Sequence, residues 1–123
     1  MQGEFEEAIT YYRRALQVQP DAPEAHTELA WLLATDPDPR IRDPIEAVRL
    51  AERASRLTDR KNAAVLDVLA AAYAAAGRFN EAVATARSAL AALPPSASQS
   101  ELAGSIQHRL DLYVKSRPYL RPR

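Results

Sequence analysis

GRFNEAVATARSALAALP, at residues 77–94, decides the fold, because residues 3–20 repeat much of it as GEFEEAITYYRRALQVQP. Aligned without a gap, the two stretches share glycine, phenylalanine, glutamate, alanine, arginine, alanine, leucine and proline at the same relative positions. Such a copy within one chain is typical of repeat architectures, in which each unit buries its apolar face against the next. The sequence therefore predicts a stacked array of similar units.

Each copy has the apolar spacing of an amphipathic α-helix, because its apolar residues follow one another at intervals of three and four. In the first copy these residues are Phe5, Ala8, Ile9, Tyr12, Ala15 and Leu16, and in the second they are Phe79, Ala82, Val83, Ala86, Ala89 and Leu90. Gly3 and Gly77 are expected to precede the two helices, where a tight turn favours glycine, and Pro20 and Pro94 to follow them, where the helix must end. The alanines are small enough to let neighbouring helix backbones approach closely.

A weaker third copy lies between the other two. Its Glu46-Ala47-Val48 motif follows the corresponding Glu7 after 39 residues and precedes the corresponding Glu81 by 35 residues. The segments before the second and third copies also match, since Leu29-Ala30 and Leu69-Ala70 hold the same place in them. Each unit is therefore predicted to be a helix, a short turn and a second helix, and the longer interval indicates an insertion.

The complete pattern resembles the tetratricopeptide repeat (TPR), a family of helical hairpins with a period of about 34 residues. The residues that carry the resemblance are Leu66, Leu69, Ala70, Tyr73, Gly77, Phe79, Ala82, Ala86, Ala89 and Pro94. The resemblance implies an all-α fold: a right-handed α-solenoid of helix-turn-helix repeats with a C-terminal capping helix. It also implies a non-catalytic scaffold for protein–protein interaction, which binds a peptide or partner-protein segment in the concave groove of the first helices.

We expect a single domain over residues 1–117 and a basic tail over residues 118–123. The domain divides into a half repeat at 3–20, a repeat at 23–59 with a proline-rich insertion at 36–44, a repeat at 62–94 and a capping helix at 98–117. Asp59 departs from the family pattern, because it stands where a closing proline is expected. We expect the tail to be solvated, with docking of its positive charges onto an acidic surface, such as that of a neighbouring copy, as the alternative.

Helix starts are predicted from capping patterns. Asp21-Ala-Pro-Glu24 and Ser98-Gln-Ser-Glu101 have the spacing of a capping box, in which two backbone N–H groups are satisfied reciprocally. Asp43 precedes Pro44, so a capping acceptor stands before a proline in the first turn.

The resemblance places the candidate peptide-binding residues on the concave face of the first helices. They are Glu24, Thr27, Trp31, Thr35, Asp67, Ala71 and Ala74. The Lys, Arg and Asn with which related repeats grip a peptide carboxylate are missing from these places, so we expect a basic or apolar peptide segment. Trp31 has two interpretations, a groove anchor or a side chain packed under the insertion. Affinity is expected from apolar burial around Trp31, Leu33 and Tyr73.

Composition and charge exclude several classes of function. Sixteen basic residues balance sixteen acidic ones in the 123-residue chain, which predicts neither a nucleic-acid partner nor contact with an anionic membrane. There is no cysteine, and neither a signal peptide nor a membrane-spanning run is recognisable, so a cytoplasmic location is the default expectation.

The residues that carry most enzyme chemistry are sparse. His26 and His108 have no cysteine, second histidine or acid at ligand spacing, and we expect both at solvent-facing helix positions. Around Asp36, Asp38 and Asp43 the glycine and the twelfth-position glutamate of a calcium loop are missing, so turn and cap roles are expected. The sequence predicts no enzyme, no cofactor and no metal site.

Two alternatives to peptide binding remain open. The half repeat lacks its first helix, so Phe5, Ile9, Tyr12 and Leu16 could mediate self-association as a homodimer. The stretch Leu29–Pro39, together with Arg109–Tyr113 near Pro118 and Tyr119, is similar to carboxy-terminal repeat modules of large bacterial proteins, some with membrane-embedded glycosyltransferase domains. That similarity implies an accessory module of a larger protein.

Overall fold

Six α-helices follow one another along residues 2–122, which the computed structural model describes. They are α1 (Gln2–Val18), α2 (Pro23–Thr35), α3 (Pro44–Leu57), α4 (Ala63–Ala75), α5 (Phe79–Ala92) and α6 (Glu101–Val114). A short 3₁₀ turn at Pro95–Ala97 precedes α6, and residues 2–122 contain no strand. The predicted all-α class is therefore confirmed, while the handedness of the solenoid stays a prediction.

The helices pack in two rows. In the first row α2 packs against α4, and α4 against α6; α1, α3 and α5 form the second row, each packed against its neighbours along the chain. Consecutive helices are thus neighbours in space, as expected for stacked helical hairpins. Within residues 2–122, none of the helices combines the length and apolar character that crossing a bilayer requires.

Among the described residues, alanine is the most frequent member of the buried core. Twelve alanines have exposed fractions of at most 1 %, namely Ala30, Ala34, Ala47, Ala51, Ala54, Ala70, Ala71, Ala72, Ala74, Ala82, Ala86 and Ala89. Larger side chains such as Leu29, Leu33 and Ile106 fill the remaining space of the same core. Because a methyl group is the whole alanine side chain, two backbones can approach there without displacing a neighbour.

Three helices begin with a side-chain cap. The carboxylate of Asp43 accepts a hydrogen bond from the Glu46 N–H at 3.2 Å, as predicted. The Asn62 side chain accepts one from Val65 N–H, and the Ser100 hydroxyl accepts one from Ala103 N–H, both at 3.1 Å. Each cap satisfies one of the backbone donors that a helix start leaves unpaired.

Both predicted capping boxes are wrong. Helix α2 begins after Ala22 without a side-chain cap, and Asp21 instead pairs with Arg53 of α3. Helix α6 is capped by Ser100 rather than Ser98, because the 3₁₀ turn takes up the residues before it. In both places a neighbouring part of the fold, rather than the local pattern, decides the contact.

Helices α3 and α4 end in left-handed turns. After α4, Gly77 has a φ of 77°, and the Arg78 N–H reaches back to the Tyr73 carbonyl at 2.8 Å. After α3, Asp59 and Arg60 take φ values of 58° and 57°, and the Arg60 N–H donates to the carbonyl of Ser55 at 2.8 Å. This turn ends α3 at the place where the family pattern has a proline.

Aspartates organise the loop between α2 and α3. The Asp36 carboxylate accepts the Asp38 N–H at 2.8 Å, and the Asp38 carboxylate accepts the Arg40 N–H at 2.9 Å. Both aspartates are buried, with exposed fractions of 1 % and 5 %. The turn and cap roles expected from the sequence are therefore confirmed.

Leu33 and Tyr73 belong to the core, so their predicted part in peptide affinity is wrong. Their exposed fractions are 2 % and 9 %. The Tyr73 hydroxyl donates to the Glu52 carboxylate at 2.7 Å, and burial, together with this hydrogen bond, raises the pKa of Tyr73 to about 12. Both side chains lie between packed helices because their positions face the neighbouring hairpin.

We expect Ala82→Leu to lower the free energy of unfolding by about 1–3 kcal/mol, since the larger side chain must push α5 away from its neighbours. Ala82 is fully buried, whereas Ala84, two residues further along α5, is exposed. Ala84→Leu is therefore the matched control and should leave stability nearly unchanged. Urea unfolding followed by circular dichroism measures both, and equal effects would contradict the packing role of alanine.

Candidate peptide-binding groove

The predicted groove residues lie at helical spacing on α2 and α4, which pack side by side in the first row. Glu24 is exposed, and Thr27 and Trp31 are half-buried. The remaining four, Thr35, Asp67, Ala71 and Ala74, have exposed fractions of 5 % or less. The predicted groove therefore has an open end near Glu24, where side chains are exposed, and a covered end beyond Trp31, where they are buried.

The open end is a shallow cavity of about 290 Å³ between the amino-terminal parts of α2 and α4. Glu24, Thr27 and Glu28 line it on one side, and Asn62 and Ala64 line it on the other. The Thr27 hydroxyl donates to the Pro23 carbonyl at 2.6 Å, so it is turned towards its own helix. The two exposed glutamates give this end an acidic rim.

The covered end is closed by an arginine of α6. The guanidinium of Arg109 donates two hydrogen bonds to the Asp67 carboxylate, from Nε at 3.0 Å and from Nη2 at 2.5 Å. The side chains of Arg109 and Asp67 are only 12 % and 8 % exposed. Burial and the nearby Asp67 carboxylate raise the pKa of Tyr113, the neighbouring aromatic residue on α6. This pair joins α4 to α6 across the groove.

Trp31 stacks on Tyr119, a residue that follows the last helix. Their ring centroids are 5.6 Å apart and the rings are inclined by 25°. The Arg109 guanidinium lies 5.2 Å from the centroid of Trp31 and 5.3 Å from that of Tyr119, within the range of cation–π attraction. Trp31 is thus covered by the C-terminal segment, defined as residues 117–122, and its part in a peptide-binding groove stays a prediction.

Arg121 of the C-terminal segment caps the end of α2. Its backbone N–H donates to the Thr35 carbonyl at 2.7 Å, and its Nη2 donates to the Leu32 carbonyl at 3.3 Å and to the Asp36 carboxylate at 3.1 Å. Its guanidinium also lies 4.1 Å from the centroid of the Phe5 ring in α1. Burial lowers the pKa of Arg121, and Asp36 opposes that shift.

The expectation of a solvated tail is wrong for Tyr119 and Arg121. Tyr119 is half-buried, and Arg121 is only 9 % exposed, against an Asp36 that is 1 % exposed. The physical reason is that the last carbonyls of α2 lack partners within their own helix and are stabilised by a cation. Arg121 supplies backbone and side-chain donors together with a positive charge.

Sequence reasoning missed Arg109, although a signal for it exists. Asp67 is the only charged residue in α4, whose other members are apolar. A buried carboxylate in such a helix requires a cation or several donors. No comparable local signal points to Tyr119 and Arg121, because their partners lie more than eighty residues earlier in the chain.

The candidate self-association residues lie on α1, at the start of the array. Phe5, Ile9, Tyr12 and Leu16 are half-buried. Ile9, Tyr12 and Leu16 pack against the core, and Phe5 lies under Arg121. On the same helix Tyr11 and Val18 are 67 % and 81 % exposed, so α1 presents apolar surface to solvent.

The histidines divide between interior and surface. His108 is exposed as expected, but His26 is only 8 % exposed, and its Nε2 lies 2.7 Å from the Pro20 carbonyl oxygen. The prediction of a solvent-facing His26 is therefore wrong, because the turn after α1 folds over it. Among residues 2–122, no group of three or more histidines, cysteines and acids is arranged to hold a metal ion.

We expect Asp67→Ala to lower the free energy of unfolding by about 3–5 kcal/mol, because it leaves the buried Arg109 guanidinium without its partner. Glu81→Ala, which breaks the exposed Arg78–Glu81 pair, is the matched control and should leave the melting temperature nearly unchanged. Thermal melts followed by circular dichroism compare the two. A Glu81→Ala loss as large as that of Asp67→Ala would contradict the role of the buried pair.

Comparison with known families bears on α1 and α2. Residues 1–35 match a family model described as TPR repeat. Among curated proteins, none matches the sequence significantly. TPR repeats generally bind protein partners and are typically a non-catalytic interaction fold. Residues 1–35 are thus similar to a TPR repeat, and stacked helical hairpins of the same kind continue through α5.

Proposed function

We propose that this chain is a non-catalytic interaction module that binds an extended segment of a partner protein in the groove between α2, α4 and α6. The observation that carries the proposal is the C-terminal segment, which lies against α2 without helical structure of its own. A groove that accommodates one stretch of polypeptide in this way has the shape and chemistry to accommodate another.

Three kinds of contact are available to a partner segment. Trp31 offers an aromatic face, the Thr35 carbonyl offers a backbone acceptor, and Asp36 offers a carboxylate. An aromatic pair contributes about 0.5–1.5 kcal/mol beyond its buried area, and aromatic anchors are frequent hot spots of binding. The open end adds the acidic rim of Glu24 and Glu28, which favours basic residues in the partner.

We expect Trp31→Ala to weaken binding of groove ligands by at least about tenfold, because it removes the aromatic anchor. Peptide ligands can be selected from a displayed random library against two forms of the protein. One is the wild type, and the other is a Tyr119→Ala, Arg121→Ala double variant that lacks the side chains covering Trp31 and Asp36. Their affinities are then measured by fluorescence anisotropy with and without Trp31→Ala. Each Trp31→Ala chain must melt above the assay temperature, so that a loss of binding reflects the missing side chain and not unfolding.

The matched control for this experiment is Tyr11→Ala, which removes an exposed aromatic residue of α1 outside the groove. Peptides that bind the Trp31→Ala chain as tightly as its parent would place recognition elsewhere on the molecule. If neither selection yields a peptide that depends on Trp31, the proposed function is wrong.

Self-association through α1 is a second candidate function. It is favoured by α1, which packs against α2 and presents the exposed Tyr11 and Val18 to solvent. A second copy that covers this face would bury the remainder of Ile9, Tyr12 and Leu16.

We expect Ile9→Glu to convert a self-associating chain into a monomer, because it places a charge in the apolar stripe. Phe5 is less suitable for this test, since a glutamate there would meet Arg121. Thr10→Glu, at an exposed neighbouring position, is the control and should leave the oligomer intact. Light scattering at micromolar concentration gives the molar mass, and a monomeric wild-type chain would exclude this candidate.

The interpretation as an accessory module of a larger bacterial protein stays a prediction from sequence similarity. The genomic sequence upstream of Met1 tests it directly. A continuing reading frame that encodes membrane-spanning helices would support it, and a stop codon in frame would contradict it.

A further inference from the structure

We infer that the C-terminal segment is a built-in competitor for the groove, and that the partner segment it excludes presents an aromatic ring and, two residues later, an arginine on an extended backbone. This inference rests on the proposed function of the groove and specifies the chemistry of its partner. It follows from the contacts of the C-terminal segment, from the pattern of its burial and from its weak attachment to the rest of the fold.

Two side chains of the C-terminal segment make its principal contacts with the groove. Tyr119 stacks on Trp31 with 5.6 Å between ring centroids. Arg121 reaches the Asp36 carboxylate at 3.1 Å, while its backbone N–H donates to the Thr35 carbonyl at 2.7 Å. Main-chain hydrogen bonds and aromatic-lined grooves are among the means by which proteins recognise an extended peptide, and Asp36 adds a carboxylate that selects a cation.

The burial of the C-terminal segment alternates with a period of two. Tyr119 and Arg121 face the fold, whereas Pro118, Leu120 and Pro122 are exposed. Prolines at 118 and 122 also disfavour helical backbone at the residues before them, including Arg121. Burial of every second residue is the pattern of an extended chain that packs on one side only. The groove therefore contacts the side chains of Tyr119 and Arg121 and leaves that of Leu120, between them, exposed to solvent.

The C-terminal segment is attached weakly enough to be displaced. In the described part of the chain, its backbone makes a single hydrogen bond to the body beyond the turn after α6, between Arg121 and Thr35, and its other contacts are those of the Tyr119 and Arg121 side chains. A segment with few backbone hydrogen bonds opens at a small free-energy cost compared with the helices. The turn itself, closed by the Arg117 N–H and the Leu112 carbonyl at 3.0 Å, belongs to α6 and can stay in place.

Charge complementarity favours a basic partner over an acidic one. The groove contributes Asp36 and Asp67 at its covered end and Glu24 and Glu28 at its open end. Asp67 is already neutralised by Arg109, which stays with α6. Release of the C-terminal segment would leave Asp36 without Arg121, so the incoming segment must bring a cation to that position.

Competition within one chain has a predictable size. A short tether holds its segment at an effective concentration on the order of 1 mM. If the free segment binds with a dissociation constant of about 100 µM, the tethered copy occupies the groove about 90 % of the time and weakens an external ligand about tenfold.

The test measures the affinity of a synthetic peptide with the sequence of residues 115–123 for three full-length chains. The opened chain carries Tyr119→Ala and Arg121→Ala. The control chain carries Arg117→Ala and Leu120→Ala, which alter one arginine and one apolar residue at exposed positions of the same segment. Trp31 is the only tryptophan, so its fluorescence reports occupation of the groove directly.

We expect the opened chain to bind the peptide about tenfold more tightly than the wild type, and the control chain to bind like the wild type. Before peptide is added, Trp31 should be quenched by acrylamide more strongly in the opened chain than in the other two. A peptide in which the residues equivalent to Tyr119 and Arg121 are alanine should bind at least tenfold more weakly to the opened chain.

Equal affinities of the wild-type and opened chains would overturn the competition, and so would a wild-type dimer that exchanges C-terminal segments, detected by light scattering. If the double variant melts below the assay temperature, Arg121→Gln replaces it, because this variant keeps the stack of Tyr119 on Trp31. It should bind the peptide about threefold more tightly than the wild type does. Library peptides whose binding requires Trp31 but that lack an aromatic residue two positions before an arginine would contradict the inferred partner chemistry. They would still support the proposed function.

Discussion

The close approach of helix backbones at alanine contacts is the constraint on which the rest of this structure depends. Alanines with exposed fractions of at most 1 % occur on each of α2, α3, α4 and α5. Small side chains let α2 and α3 pack closely, and α4 then packs against both of them. Repetition of this arrangement along the chain stacks the helices in two rows. The first row then leaves a groove between α2, α4 and α6, and every candidate binding residue derives its position from that arrangement.

The groove carries more charge in its interior than a packing surface requires. Asp36 and Asp67 are both almost completely buried, and each meets an arginine from the C-terminal part of the chain. Buried ion pairs contribute little net stability, because desolvation offsets their attraction, yet removing one partner is costly. Arg109 fixes α6 against α4, and Arg121 fixes the C-terminal segment against α2, which makes the end of the chain part of the groove.

Most of the fold was predictable from particular residues. The spacing of Phe5, Ile9 and Leu16 and of their counterparts predicted helices that the structure contains, and Asp43 capped α3 as expected. The errors lie where a distant neighbour competes with a local pattern. Asp21 pairs with Arg53 instead of capping α2, and His26 is covered by the turn at Pro20. Local periodicity reports which face of a helix is apolar, but it carries no information about which other segment reaches a given side chain.

The sequence by itself determined the all-α class and the succession of helical hairpins, because these follow from spacing and from residue size along one helix. Only the tertiary structure decided that Tyr119 stacks on Trp31 and that Arg121 is buried beside Asp36. Those contacts join residues more than eighty positions apart, and they depend on the path of residues 117–122, which run from the end of α6 to the end of α2. The physical reason is that ring stacking and ion pairing act through space over a few ångströms, whereas a sequence pattern records only neighbours along the chain.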